Sequence, residues 1–380
     1  MNDSADQSII GRLLPLVAQH RALGAQFAEI QGWSLPQSYG DWLQEYEHVR
    51  QRVGLIDHSA RARLRVTGRD RCEFLQGMVS NDVNVPVGAG TYACFLNAKG
   101  HLLADMRIYC RPDEYLLDLD PGVGEEIRTK LDFYVIMSDI TITDITGDIA
   151  VLAVRGPKSA NVLGEVLGQS PPELSEYAQW LVSYDGVEIM VVRIGKSGSV
   201  GYDVWASPAA AAALWQQLLV AVQSHIGGPV GYAAEEVLRV EDGIPRLGAD
   251  LDDSTIPQEA GLEQSAVSFT KGCYVGQETV ARLDSRGGNV SRRLRGLIIE
   301  GDSLPARGSR LFSNTRDVGR ITSAVHSPLL HKVIALANIQ RGFNDVGTDL
   351  HLDDQQKRTA SIVELPFSRT PGAKAASISE

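Results

Sequence analysis

From Arg292 to Phe367 the sequence breaks into short apolar runs, LRGLIIE, VGRITSAVHS, KVIALANI, DLHLDD and TASIVELPF, separated by glycine, proline and polar turns. Runs of this length, punctuated this regularly, read as strands rather than helices. The texture predicts a small closed β domain over 289–367. Upstream the pattern is mixed. Asp41 can cap a helix that runs to about Val53, where Gly54 stops it, and the strand-like run RLRV follows at 63–66. A hairpin is readable next: HLLADMRIYC at 101–110, a turn over Arg111-Pro112-Asp113-Glu114, then YLLDLD at 115–120. Side chains alternate along a strand, so Leu102, Ala104, Met106, Ile108 and Cys110 share one face, and Leu103, Asp105, Arg107 and Tyr109 the other. Further strands are expected at 149–154 and 187–194, with helices around 157–167 and 231–242 and an alanine-rich helix from Ser207-Pro208 to Gly227-Gly228.

At 380 residues the chain exceeds one ordinary core, so two or three domains are expected. No window approaches the length of a membrane span, and the polar, acidic start MNDSADQSII does not look like a targeting peptide. The expected location is the cytoplasm. A formal net charge of −11 argues against general attachment to nucleic acid or to an anionic membrane. Cys72, Cys94, Cys110 and Cys273 form no C-x-x-C pair, which argues against a disulfide framework, a zinc site or a cluster held by this chain alone.

One octapeptide stands apart: Lys271-Gly272-Cys273-Tyr274-Val275-Gly276-Gln277-Glu278. A thiol among basic, aromatic and polar side chains, on a backbone loosened by two glycines, reads as a site. Lys271 would favour the thiolate of Cys273 if its ammonium lay nearby. The plainer alternative is a bend with Cys273 as a small buried hydrophobe. From Lys271 to Arg295 six cations face two carboxylates, a local surplus of four in an acidic protein. That surplus reads either as a pocket for an anionic ligand or as a solvated basic loop.

Other motifs fail. Gly195-Lys196-Ser197 lacks the glycine a phosphate loop needs five residues before Gly195, where Met190 stands, so the tract is a turn between strands. The eight histidines show no metal-ligand spacing and read mostly as surface residues. Asp105 could position a bound heterocycle through its N–H groups, or simply pair with Arg107 on the strand face.

The stretch GIPRLGADLDDSTIPQEAGLEQSAVSFTKGCYVGQETVAR, 243–282, closely resembles the signature region of the YgfZ family, folate-binding relatives of the glycine-cleavage T-protein, or aminomethyltransferase. The wider likeness to T-protein covers nearly the whole chain, with GWSLPQSYGDWLQEYEHVRQRVGLIDHS at 32–59 similar to its opening and ITSAVHSPLLHKVIALANI at 321–339 to its closing barrel. The resemblance implies an α+β fold: a folate-binding region around a central cavity over 1–288, divided into 1–145 plus 230–288 and 146–229, then the β-barrel over 289–367 and a disordered tail over 368–380. It also implies tetrahydrofolate as the bound cofactor. Three departures from T-protein stand out. Of paired aspartates on one strand the first is Ala104 and only Asp105 survives; a folate-binding glutamate falls on Ser199; a folate-contacting arginine falls on Glu235.

Two functions follow. The leading one is a YgfZ-like tetrahydrofolate-binding accessory protein that supports iron–sulfur cluster assembly or repair in other enzymes, with Cys273 reactive, Lys271 tuning it, Tyr274, Gln277 and Glu278 orienting it or its ligand, and Arg282 holding the folate tail. Asp105 and Arg239 are further cavity candidates, although Arg239 could pair with Glu235 one helical turn earlier. The alternative is a folate-dependent aminomethyltransferase or related one-carbon transferase, in which Asp105 acts electrostatically beside the folate nitrogen. Folate and iron–sulfur assembly proteins or their clients are the expected partners.

Overall fold

A computed structural model describes residues 11–195, 200–352 and 358–369. The tract 196–199, which includes Ser199 and the centre of the expected turn, and the tail from 370 lie outside the described residues. The chain opens with β1 (Arg12–Leu13), α1 (Val17–Ala22), β2 (Gln26–Ile30) and β3 (Trp33–Ser38). Then comes α2 (Trp42–Gln51), where the Asp41 carboxylate accepts from the Leu43 N–H at 2.9 Å and so satisfies one of the helix's free donors. Next are β4 (Gly54–Asp57), β5 (Ala62–Thr67), α3 (Arg71–Met78), β6 (Gly90–Leu96), β7 (Leu102–Cys110), β8 (Glu114–Leu119), α4 (Gly124–Asp132) and β9 (Thr141–Asp144). A third stretch holds β10 (Ala150–Arg155), α5 (Ser159–Leu167), β11 (Gln179–Tyr184), β12 (Val187–Ile194), β13 (Gly201–Ala206), α6 (Pro208–Ser224), β14 (Gly228–Pro229) and α7 (Tyr232–Glu241). After α8 (Pro257–Ala260) and α9 (Gln277–Ser285) come β15 (Arg292–Ile299), β16 (Arg310–Ser313), β17 (Arg316–Ser327), β18 (Lys332–Gln340), β19 (Asp349–Leu352) and β20 (Thr359–Val363).

Two sheets organise the first region. One runs β6-β7-β8-β5-β9, the other β11-β12-β13-β10-β4-β14, and the last six strands close into the expected barrel, β15-β18-β17-β16-β19-β20. The result is an α+β region followed by a six-stranded barrel. The hairpin read from the sequence is β7–β8, with Ile108 opposite Leu117. Its two faces divide as alternation requires. Ala104, Met106, Ile108 and Cys110 enter a core with residues of α3 and α4, whereas Tyr109 and Leu116 pack against Val151, Val192 and Trp205 of the six-stranded sheet. The opposite face of that second sheet is covered by α5 and α6, with Trp215 fully buried there. The two sheets therefore meet face to face, and whatever polar groups point inward from β5, β7, β8, β10 and β13 must find one another.

Helix α7 forms the seam with the barrel. Ala234, Val237, Leu238 and Val240 share a core with Tyr46 and Val49 of α2 and with Leu294, Val325, Ile334 and Leu336 of the barrel.

Candidate functional site

The inward-facing ionisable residues form one ionic junction between the sheets. Asp118 of β8 is a hub: Arg61 Nε reaches its two oxygens at 3.0 and 3.1 Å, and Arg107 Nη1 of β7 lies at 3.2 Å. Arg107 also donates across the gap to Asp203 of β13 at 3.3 Å, and Arg155 of β10 donates to the other oxygen of Asp203. Carboxylates this deeply buried persist only when paired. Burial pushes both acids up, but the surrounding cations win, Arg61 foremost at Asp118 and Arg155 foremost at Asp203, so both stay ionised. Arg63, fully buried, spends its guanidinium on the carbonyls of His58, Ser59 and Arg61 and fixes the loop from β4 to β5. In that loop His58 Nε2 donates to Glu235 of α7 at 2.6 Å, and its Nδ1 stands 3.8 Å from Asp203.

Asp105 sits beside this junction. Its Oδ2 accepts from the Tyr92 hydroxyl at 2.7 Å, while Oδ1 is buried with no hydrogen-bond partner among the described residues. Burial and then the Asp120 carboxylate raise its pKa from the ordinary 3.8 to about 6. The Tyr92 and Tyr177 rings lie near it, 6.5 Å apart and tilted by 32°. Tyr177 holds this place with a left-handed backbone, φ +64°, a conformation uncommon outside glycine. A buried acceptor without a donor, flanked by two aromatic rings, suits a planar heterocycle that offers N–H groups.

The octapeptide lies against the same sheet face. Cys94 stands opposite Asp105 in the β6–β7 register, and Tyr274 packs with Cys94, Leu96 and Leu102. Cys273 is exposed, in contrast to the buried Cys94 and Cys110, and all four thiols are free. The reading of Cys273 as a small buried hydrophobe is thus excluded. Lys271 departs from expectation. Its ammonium donates to the carbonyls of Gln76, Val79 and Asn81 at 2.8, 2.8 and 2.9 Å, closing the C-terminal end of α3. Burial lowers it to about 8, and the ionisable groups nearest it are Asp82 and Cys72 rather than Cys273. On the other side the Val275 N–H donates to Gly77 at 3.1 Å. Gly272 and Cys273 are thus an exposed tip pinned at both ends.

Other expectations are corrected by the geometry. Arg239 pairs with Glu236 and Asp250, not Glu235, and its remaining donors go to Ile244 and Ser323. Arg107 bonds Asp118 and Asp203, not Asp105. The basic surplus after Lys271 does not converge into an anion pocket. Arg292 is bound by Glu259, Arg293 by Glu263 and Arg295 by the Asn344 carbonyl, while Glu278, Arg282 and Arg286 are exposed and Gln277 half-buried. His20 is not a surface residue either. It is fully buried between Asp57 at 2.9 Å and the Tyr39 hydroxyl at 2.7 Å. Sequence reasoning missed His58, Asp118, Asp203, Arg61, Arg63 and Arg155. For Arg63, Asp118, Arg155 and Asp203 the signal was an ion inside an otherwise apolar strand, as in YLLDLD and GYDVWA; His58 and Arg61, in the connection between β4 and β5, carried none.

An α+β region with two large facing sheets and a small three-stranded one, β1-β3-β2, followed by a closed six-stranded barrel, is the architecture of a T-protein-type transferase. The model of the GCVT N-terminal domain matches residues 16–271, and that of the glycine cleavage T-protein C-terminal barrel domain matches 292–368. The chain belongs to the glycine cleavage T-protein family. It is 31% identical to an aminomethyltransferase of Cutibacterium acnes, covering 94% of this chain and 98% of that protein, and 30% identical to one of Saccharopolyspora erythraea with the same coverage. The crystal structure of glycine cleavage system aminomethyltransferase T from Bartonella henselae superposes with a TM-score of 0.85 at 27% identity, over 94% of this chain and 98% of that one. The family uses tetrahydrofolate as its one-carbon carrier. These likenesses reach the T-protein family as a whole and do not single out its YgfZ branch. Among the described residues no helix is long and apolar enough to cross a membrane, and no group of three or more His, Cys, Asp or Glu is placed to hold a metal ion.

Proposed function

We propose that this chain binds tetrahydrofolate at the Asp105 end of the ionic junction, in the cytoplasm, and works there as a folate-dependent one-carbon transferase of the aminomethyltransferase kind. The observation that carries this reading is the buried, unengaged Oδ1 of Asp105 beside Tyr92 and Tyr177. Tetrahydrofolate, when bound, supplies the ring nitrogens on which a one-carbon group is carried. Asp105 accepts an N–H from the ring, and with a pKa of about 6 it can also hold a proton near neutral pH. Tyr92 fixes the orientation of that carboxyl, and the tyrosine rings give the heterocycle flat apolar surfaces. The work is positioning and electrostatics rather than covalent chemistry. Titration calorimetry with tetrahydrofolate tests binding; the methylenetetrahydrofolate formed from an aminomethyl-loaded carrier protein tests transfer. Saturable binding with turnover supports the proposal, and absence of binding at millimolar tetrahydrofolate refutes it.

The exposed, pinned Cys273 favours a second reading, a YgfZ-like folate-binding accessory protein that supports iron–sulfur cluster enzymes. Here the thiol acts on a partner or its sulfur or iron cargo. Lys271 and Tyr274 hold the tip, and Gln277, Glu278 and Arg282 on the adjoining helix offer polar contacts to the partner. Binding without turnover would separate this reading from the first. Cys273→Ala should then abolish support of cluster enzymes in cells while leaving folate affinity unchanged; full complementation by that variant rules the thiol role out.

A further inference from the structure

His58 occupies the short connection between β4, a strand of the six-stranded sheet, and β5, a strand of the five-stranded sheet. From there it touches the third wall of the junction, since its Nε2 meets Glu235 of α7 at 2.6 Å while Nδ1 faces Asp203 of β13 at 3.8 Å. The Glu235 side chain has no other hydrogen-bond partner among the described residues and is 35% exposed, whereas His58 is 13% exposed and Asp203 1%. One imidazole ring, on the connection between the two sheets, therefore bonds the helix and faces Asp203 at ion-pair distance, its Nδ1 making no hydrogen bond among the described residues.

We propose that His58 is a positioning residue of this site: as an imidazolium it clamps α7 through Glu235 against β13, and tetrahydrofolate affinity falls as the ring loses its proton. The inference rests on the folate reading above. The groups facing the ring decide its charge. Asp203 is shared with Arg155 of β10 and Arg107 of β7, Asp118 of β8 is held by Arg61 and Arg107, and Arg63 of β5 binds the His58 carbonyl. Arg155 and Arg61 also attract Glu235 from further off, but His58 is the cation that bonds it directly. Burial alone would favour the neutral ring, but Glu235 first and Asp203 after it outweigh burial, so the proton is held above the ordinary imidazole range. In return His58 holds Glu235 at about 2 against the burial that would raise it. A tie of this kind is fully made at low pH and is lost as pH rises through the raised imidazole pKa.

Three measurements on the full chain test the clamp. The first follows the His58 ring by NMR: a midpoint above about 6.5 that drops in Glu235→Gln is expected, and a midpoint at or below that value overturns the proposal. The second measures hydrogen exchange of α7 amides without ligand: protection should fall as pH is raised through the midpoint found for the ring in the wild type and not in His58→Gln, and an unchanged profile overturns the clamp. The third compares tetrahydrofolate affinity over the same range, with His58→Gln as the control for any contribution of Asp105: a loss of roughly tenfold, the size of one pKa unit, is expected in the wild type beyond that seen in His58→Gln. Equal loss in both proteins overturns the positioning role. Glu235→Gln, at a third-exposed position, breaks the same tie without risk to the core. If the ring titrates high and α7 loosens but no folate binds at any pH, the folate reading fails and with it the role assigned to the clamp; if folate binds alike at both ends of the range, only this inference fails.

Discussion

On the function proposed for it, Asp105 serves binding at the expense of folding. Its pKa of about 6 against an ordinary 3.8 means the folded chain holds more protons than the unfolded chain between those values, so stability falls as pH climbs from about 4 to about 6 and the loss persists above. Asp105→Asn should therefore stabilise the protein at pH 7 by roughly 1–2 kcal/mol in chemical denaturation, yet weaken tetrahydrofolate binding at least about tenfold, the typical worth of a hydrogen bond to a charged group. A variant that loses both stability and affinity would contradict the assignment. At this scale the sequence was only partly legible. Asp105 and Cys273 could be singled out from strand alternation and from the glycine-flanked motif. The partners of Lys271, Arg239 and Arg107 could not, because a long cationic side chain reaches groups distant in sequence, 195 residues away for Lys271 and Gln76 at the end of α3. His58 and Asp203 were unreadable because each gains meaning only from the other sheet.

Among the elements, α7 and the entry to α9 carry the heaviest constraints. Beyond α7, Asp250 accepts from Arg239 at 2.7 Å, from Thr322 at 2.5 Å and from Ser323 at 2.8 Å, with no side-chain exposure, and so bolts the helix to β17. Removing one partner of a buried ion pair leaves the other charge stranded. Asp250→Ala should cost about 3–5 kcal/mol of unfolding free energy; a loss below 1 kcal/mol would mean that Arg239 finds solvent instead. At the start of α9, Gly276 has φ +84°, and an added Cβ would stand 2.5 Å from the Asn97 carbonyl oxygen. Gly276→Ala should destabilise by about 2 kcal/mol or more and change the rate at which a thiol reagent labels Cys273; an unaltered labelling rate would show that the tip is set elsewhere. Element types were well signalled. The capped α2, the β7–β8 hairpin and the alanine-rich α6 fall close to where composition and capping residues set them, because local chemistry determines them.

For the whole molecule, the two regions share a core rather than a mere contact, since α7 packs on the barrel strands β17 and β18 and joins them in one apolar cluster with residues of α2, β4 and β15. A barrel cut away from α7 would leave Leu294, Val325, Ile334 and Leu336 uncovered. The intact chain should accordingly unfold in one transition, with tryptophan fluorescence, which reports only the first region because the barrel holds no tryptophan, coinciding in denaturant with far-ultraviolet dichroism, to which the barrel strands contribute; two separated transitions would show that the regions are energetically independent. The barrel was legible from its strand rhythm. Its union with α7 was not, because nothing in a helix's own periodicity names the surface it will cover. The shared seam also means that heredity can strike the chemistry from afar. A lesion deep in the barrel, remote from Asp105, would disturb α7 and with it the contact between Glu235 and His58.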